Sequence, residues 1–244
     1  MHLAAKRMPI PRKIIFDLDD TILDYSAPAE RVWTELYHVY ARKAGVPVER
    51  LQRAVDESRR WYWSDMDRFR EGRLNLRQAR RIFVRAGFEK LGLNNAALAD
   101  EMADSFSRER EIAVQPFDGA IAALEFLKAD GATMVLLTNG EASIQRAKIV
   151  RFDLDRFFRA VLIESELGVG KPDPSAYRTA LASLGVAPEQ IWMVGDDLEF
   201  DIRPAKGLGM RTAWIRDPVH NGESLADVTL PSIRMLIEYW KNSQ

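Results

Sequence analysis

Two aspartates separated by one residue follow an apolar run near the start of the sequence. Asp17 and Asp19 flank Leu18, and residues 13–17 are predicted to form a short buried strand. Asp17 would then lie at the carboxyl end of that strand, where open parallel sheets bind ligands. Two carboxylates this close are costly unless one is protonated or a cation lies between them. The pair therefore indicates a hard-cation site that also holds a potential nucleophile.

Polar side chains also follow three later apolar segments of the chain. They are Thr138 and Asn139, then Lys171, then Asp196, Asp197 and Asp201. Because the carboxyl ends of parallel strands share one edge of a sheet, we expect these groups to converge. Mg²⁺ takes oxygen ligands, a lysine neutralises phosphate charge, a hydroxyl donates to a phosphate oxygen, and a carboxylate can form an aspartyl-phosphate. This set of carboxylates, lysine and hydroxyl therefore fits an enzyme that transfers phosphoryl groups.

The elements that must position these residues alternate between strand and helix in the second half of the chain. Such alternation predicts an α/β fold with a doubly wound parallel sheet. Helical periodicity fills residues 27–112, without a convincing strand, so this block is predicted to be an all-helical cap domain inserted after the first strand. The α/β core domain would comprise residues 13–26 and 113–244, and residues 1–12 would be a disordered lead-in.

Composition excludes several other classes of protein. The chain has 244 residues, a formal net charge of −1 and no cysteine, which argues against a strongly basic nucleic-acid binder, disulfides and a thiolate zinc site. Its three histidines, His2, His38 and His220, have no zinc-binding helical spacing. No apolar run is long enough to span a bilayer, and no signal-peptide core is present. We expect a cytoplasmic monomer or homodimer.

Taken together, the motifs resemble those of the haloacid dehalogenase (HAD) superfamily, in its phosphatase-type members with a helical cap after the first motif. The four motifs occur in order over residues 17–201. They are Asp17-Leu18-Asp19-Asp20-Thr21, then Thr138, then Lys171 in Gly170-Lys171-Pro172-Asp173-Pro174, then Gly195-Asp196 with Asp201. The resemblance implies a Rossmann-like core and a Mg²⁺-dependent phosphatase that acts on a small phosphorylated metabolite. Nucleoside monophosphates, phosphoglycolate and sugar phosphates are the substrate classes it suggests.

The resemblance also implies a role for each matching residue. Asp17 would be the nucleophile and a metal ligand, and Asp19 the general acid and base, with its backbone carbonyl on the metal. Asp196 would be the second carboxylate ligand. Thr138, Asn139 and Lys171 would hold the phosphate, with Lys171 also catalytic. Asp201 would orient Lys171 or a metal-bound water, and Asp197 would be a further outer ligand or only a polar loop residue.

Three alternatives use the same fold. A phosphomutase would return the phosphoryl group to the substrate. A haloacid dehalogenase would attack a carbon that bears a halogen, but that branch lacks the second aspartate, so Asp19 argues against it. A non-catalytic phospho-ligand sensor would have lost a catalytic aspartate, and none is missing.

Within the predicted cap, Trp61-Tyr62-Trp63 and the arginines from Arg68 to Arg85 are the residues that could contact substrate. We expect instead that the aromatic residues pack between helices and that the arginines form a solvated face.

Overall fold

A six-stranded parallel sheet underlies the α/β part of the chain in this computed structural model, which describes residues 12–216 and 225–241. The strands in chain order are β1 Lys13–Phe16, β2 Leu23–Asp24, β3 Gln115–Pro116, β4 Thr133–Thr138, β5 Phe158–Ile163, β6 Trp192–Gly195, β7 Arg211–Ile215 and β8 Val228–Leu230. The sheet order is β5-β4-β1-β6-β7-β8, and every neighbouring pair is parallel. Strands β2 and β3 form a separate two-stranded sheet.

Eleven α-helices accompany these strands within the described residues. They are α1 Ser26–Ala44, α2 Val48–Trp63, α3 Met66–Leu74, α4 Leu76–Lys90, α5 Ala96–Ala113, α6 Ala120–Ala129, α7 Ala142–Arg151, α8 Glu164–Leu167, α9 Pro174–Leu184, α10 Arg203–Gly207 and α11 Met235–Lys241. None of these described helices combines the length and the hydropathy that crossing a membrane requires.

The chain divides into two compact units. One comprises Met1–Asp24 and Pro116–Gln244, and we call it the α/β unit; the other is Tyr25–Gln115, the helical unit. The parallel sheet with flanking helices confirms the predicted fold class. The predicted lead-in, residues 1–12, lies outside the described residues except for Arg12.

The middle of the sheet is fully buried, as parallel strands covered on both faces require. Ile14, Ile15 and Phe16 of β1 are at most 1% exposed. Helix α9 contributes to a hydrophobic cluster that also contains Ile15 of β1 and Val135 of β4. Because β4 and β6 flank β1, the chain segments that follow these three strands emerge side by side. The strand order reverses at this position, which is where doubly wound sheets bind ligands.

Aromatic rings form the centre of the helical unit. The indole of Trp33 on α1 stacks on Phe106 of α5 with ring centroids 3.9 Å apart, and Phe83 of α4 lies 5.9 Å from it. Gly87 lies inside α4 and is buried. A Cβ there would lie 2.9 Å from the Cα of Val55, so glycine permits the close approach of α2 and α4.

The sequence-based expectation for Trp61-Tyr62-Trp63 and the nearby arginines is only partly met. Tyr62 is buried, whereas Trp61 is 48% exposed, with the Arg68 guanidinium 4.2 Å from its ring centroid. Arg80 is 4% exposed, so the prediction of a wholly solvated arginine face is wrong at this position. Burial here depends on which side of α4 faces α5, which the arginine spacing does not reveal.

Candidate active site

The first two aspartates diverge from a tight turn at the end of β1. The amide of Asp17 donates a 2.9 Å hydrogen bond to the carbonyl of Val194, which keeps the chain bound to β6 just beyond the strand. Leu18 is fully buried, so its neighbours project away from the core. Asp20 has a φ of +61°, and its amide donates to the carbonyl of Leu23, as expected of a turn residue.

Lys171 lies between two carboxylates. Its Nζ is 2.5 Å from Oδ1 of Asp17 and 2.6 Å from Oδ1 of Asp201, and all three side chains are buried. The side-chain amide of Asn139 fixes the backbone of this lysine: Lys171 N–H donates to Oδ1, and Nδ2 donates to the Lys171 carbonyl, both at 2.8 Å. Asn139 thus positions the lysine through its backbone, a role that the sequence did not predict.

Asp201 approaches this lysine across a glycine. Its Oδ2 accepts a 3.0 Å hydrogen bond from the amide of Asp197. A Cβ on Gly195 would lie 2.3 Å from that oxygen, which real structures do not tolerate. The Asp197 carboxylate accepts from the amides of Glu199 and Phe200, so it caps the π-helical turn Leu198–Ile202 that carries Asp201.

Asp196 is fixed from two sides. The hydroxyl of Thr21 donates to Oδ1 at 3.1 Å, and the indole N–H of Trp214 donates to the Asp196 carbonyl at 2.7 Å. Thr21 belongs to the first motif without an assigned role, and Trp214 on β7 carries no recognisable sequence signal. Both restrict the orientation of a carboxylate at the end of β6.

Burial dominates the electrostatics of this cluster. Burial raises the pKa of Asp17 to about 7, although Lys171 opposes that shift. Burial and the nearby Asp17 raise the pKa of Asp196 to about 8, and burial also raises the pKa of Asp201. For Lys171, burial lowers the pKa, but the carboxylates of Asp17 and Asp201 outweigh it and the net pKa is raised. The one positive charge of Lys171 therefore cannot balance the negative charges of the three nearby aspartates when all three are ionised.

The donor set fits a divalent cation. One carboxylate oxygen from each of Asp17, Asp196 and Asp201 lies within 4.8 Å of the others. Hard oxygen ligands and excess negative charge are what Mg²⁺ requires. Both oxygens of Asp201 already accept hydrogen bonds, from Lys171 and from the Asp197 amide, so Asp17 and Asp196 are better placed to be direct ligands.

A second polar group surrounds Asp19. Lys148 on α7 is 2.6 Å from both of its carboxylate oxygens, and Gln145 donates to Oδ2 at 3.1 Å. The same Gln145 amide lies 2.6 Å from the Thr138 hydroxyl and 2.9 Å from the Asn139 carbonyl. One side chain thus joins the predicted acid–base residue to the predicted phosphate-binding segment.

Glu164, at the start of α8, is a further buried residue that the sequence did not single out. Its Oε2 accepts from the amide of Gly140 at 2.9 Å, which holds the turn after Asn139. A Cβ on Gly170 would lie 2.4 Å from its Cδ, so glycine before Lys171 is a steric requirement. The sequence gives a weak signal for Gln145 and Lys148, which lie one turn apart on the helix after β4, and none for Glu164.

We predict that Gly195→Ala disrupts the site. The added methyl group must displace Asp201 or the end of β6, which we expect to destabilise the fold by about 1–3 kcal/mol. The melting temperature measures this loss. Gly207→Ala is the matched control, because a Cβ there meets nothing within 4 Å and alanine is the better helix former. Equal stability of the two variants would contradict the steric argument.

The raised aspartate pKa values predict a pH-dependent stability in EDTA. Asp17 and Asp196 have folded-state pKa values of about 7 and about 8, above the 3.8 of an exposed aspartate. At these two sites the folded protein binds more protons than the unfolded chain from about pH 4 to about pH 8, so their contribution to stability falls as pH rises through that range. The raised pKa of Lys171 adds no slope there, because this lysine stays charged in both states.

Melting temperatures at about pH 6 and about pH 8.5 test this. We expect Asp196→Asn to flatten the dependence in EDTA, and Mg²⁺ to stabilise the wild type more at the higher pH, since binding must displace protons. A wild-type slope that Asp196→Asn leaves unchanged would refute the assignment to this cluster.

Comparison with known proteins places the chain in a family. Residues 12–209 match the family model of haloacid dehalogenase-like hydrolases. A phosphoserine phosphatase of Thermus thermophilus is 43% identical over 117 residues, which are 48% of this chain and 47% of that protein. The chain thus aligns with about half the length of this curated relative.

Two solved structures extend the likeness over nearly the whole chain. The HAD hydrolase YfnB from Bacillus subtilis, bound to magnesium, is 20% identical with a TM-score of 0.71, covering 96% of this chain and 99% of that one. A 2-haloacid dehalogenase from Pseudomonas syringae is 29% identical with a TM-score of 0.63, covering 95% and 99%. Since the family model spans most of the sequence and the strand ends carry the motif residues, the chain belongs to the haloacid dehalogenase-like hydrolases.

Proposed function

We propose that this protein is a Mg²⁺-dependent phosphatase that hydrolyses a small phosphorylated metabolite through an aspartyl-phosphate. The observation that carries the proposal is the arrangement of the buried Asp17 and Lys171 with the half-buried Asp196, at the end of β1, in the loop before α9 and at the end of β6. The similarity of one aligned half to a phosphoserine phosphatase supports the same reaction class. Nucleoside monophosphates, phosphoglycolate and sugar phosphates remain the candidate substrates.

The proposed cycle begins with attack by a carboxylate oxygen of Asp17 on phosphorus. Lys171, which contacts that carboxylate, balances the charge of the nucleophile and of the phosphoryl oxygens. Thr138 and the amide of Asn139 would hold the phosphoryl group. As the bond from phosphorus to the leaving oxygen breaks, Asp19 gives that oxygen a proton and then accepts one from the water that hydrolyses the aspartyl-phosphate.

Asp17, Asp196 and the backbone carbonyl of Asp19 would hold Mg²⁺. When bound, the cation supplies charge neutralisation between the nucleophile and the phosphoryl oxygens.

The haloacid dehalogenase alternative has one specific observation in its favour, the 29% identity to the structure from Pseudomonas syringae. Asp19 and the excess of buried carboxylates argue against it, because attack on carbon needs neither a second acid–base aspartate nor a divalent cation. Chloride release from a 2-chloroacid in EDTA, without phosphate release from any phosphomonoester, would establish that alternative.

We predict that Asp17→Asn abolishes phosphate release. The amide keeps the shape of the side chain but is a poor nucleophile, so turnover of p-nitrophenyl phosphate with Mg²⁺ should fall by roughly 10³-fold or more. EDTA should abolish wild-type turnover as well. Asp153→Asn is the matched control: this aspartate has a 70% exposed side chain and a φ of +51°, a conformation that asparagine also tolerates.

Activity that persists in Asp17→Asn would show that the nucleophile has been wrongly identified. Inactivity of the wild type toward both the aryl phosphate and a panel of phosphorylated metabolites would count against the phosphatase class, and mutase substrates and phospho-ligand binding would be tested next.

We also predict that Lys148 acts as a positioning residue for Asp19. Its bidentate contact fixes the carboxylate, so Lys148→Met should impair proton donation to the leaving oxygen. A poor leaving group needs that proton more than a good one does. We therefore expect kcat/KM to fall roughly tenfold or more for ribose 5-phosphate, and much less for p-nitrophenyl phosphate.

Lys206→Met is the control, because its ion pair with Asp227, at 2.8 Å, involves none of the site residues. Lys148→Arg should recover part of the loss, since a cation is restored. Equal losses for the aryl and alkyl substrates would indicate that Lys148 supports the structure of the site only.

A further inference from the structure

A cavity of about 350 Å³ lies within the helical unit, between residues of α1, α2, α4 and α5. Its lining combines aromatic rings, including Trp33, Trp63 and Phe106, with the side chains of Arg80 and Arg110. Its volume is in the range of cavities that hold small molecules.

The charged lining residues are predominantly basic. Arg59, Arg60, Arg80 and Arg110 all line the cavity, against a single lining glutamate, Glu30. Glu30 forms an ion pair with Arg59 at 3.2 Å, and Arg59 also contacts Asp56 at 3.5 Å. Neither Arg80 nor Arg110 has a carboxylate within ion-pair distance in the described part of the chain. Glu111 lies near enough to raise the pKa of Arg80, but the charged side chains that line the cavity remain predominantly positive.

Arg80 carries this charge in a buried position. It is 4% exposed, it donates to the Ser107 hydroxyl at 2.8 Å, and its guanidinium lies 5.1 Å from the ring centroid of Phe106. Burial and the nearby Arg110 together lower its pKa to about 10, although Tyr25 and Glu111 oppose the shift. The side chain still remains protonated at neutral pH, so a cation is retained where desolvation disfavours one.

Arg110 adds an unsatisfied donor. Its guanidinium lies 3.4 Å from the ring centroid of Tyr25, and its Nη2 donates to the Tyr25 carbonyl at 3.3 Å. Its Nε is buried and has no hydrogen-bond partner in the structure. An unpaired buried N–H of a charged group costs free energy that a bound acceptor would recover.

We propose that this cavity binds a small organic molecule through a carboxylate or another oxyanion held by Arg80 and Arg110. Guanidinium groups bind such anions by paired, charge-assisted hydrogen bonds, and the aromatic walls suit a planar or apolar body joined to the anion. The ligand neutralises the two arginines and satisfies the free donor of Arg110.

The test titrates phenylacetate and its neutral counterpart phenylacetamide into the full-length protein in EDTA, by calorimetry. Tryptophan fluorescence reports the location, because Trp33 and Trp63 line the cavity. We expect phenylacetate to bind at least about tenfold more tightly than the amide, as charge-assisted hydrogen bonds predict. Arg110→Met should remove most of that difference, and Arg110→Lys should retain part of it.

Arg85→Met is the matched control on the same helix as Arg80. Arg85 lies outside the cavity lining and pairs with Asp100 near the surface, so its removal should leave phenylacetate affinity unchanged. Arg80→Met provides a second test, with its melting temperature checked first because the side chain is buried. Absence of phenylacetate binding, equal affinity for acid and amide, or full affinity in a folded Arg110→Met would each overturn the proposal.

Kinetics with phenylacetate then measure whether filling this cavity changes the turnover of a phosphomonoester. Any such effect should be lost in Arg110→Met, and an effect that persists in the folded variant would show that phenylacetate acts elsewhere. The binding measurement stands independently of the proposed phosphatase activity, so failure of one does not imply failure of the other.

Discussion

The buried contact of Lys171 with Asp17 and Asp201 is the interaction on which the rest of the site depends. Charges removed from water are costly, and removing one partner leaves the others uncompensated. Several otherwise unrelated features serve this contact: Gly195 leaves room for Asp201, Asn139 fixes the backbone of Lys171, and the Asp197 amide binds the second oxygen of Asp201. The glycines and polar turns of the motifs thus have steric and electrostatic explanations.

The charges around the same contact favour the binding of a cation. One ammonium lies among three carboxylates at the edge of the sheet, and burial raises the pKa of Asp17 and of Asp196, so the site holds protons near neutral pH that a cation could displace. Binding of a divalent cation would displace these protons, so it would be coupled to proton release and to stability. The free energy of unfolding that is lost by burying these acids would then contribute to the affinity for the cation.

The helical unit shows the opposite imbalance. Its aromatic centre, built around the stacked Trp33 and Phe106, lies next to the guanidinium groups of Arg80 and Arg110, which lie over aromatic rings. An acidic cluster in one unit and a predominantly basic cavity in the other are the observations behind the two ligands that we propose, a cation for the first and an oxyanion for the second.

The sequence alone determined the fold class and the residues that end the strands, because apolar runs followed by polar groups are local patterns. It predicted a helical block over residues 27–112, and its motif spacing named Asp17, Lys171 and Asp196. Only the tertiary structure decided what surrounds them. Lys148 reaches Asp19 across 129 residues of sequence, and Trp214 reaches Asp196 from the neighbouring strand. Arg80 is buried by helix packing. These side chains belong to common residue types, and no motif surrounds them in the sequence. Their roles follow from the order of the strands and the orientation of the helices. The spacing of residues along the sequence does not determine either of these.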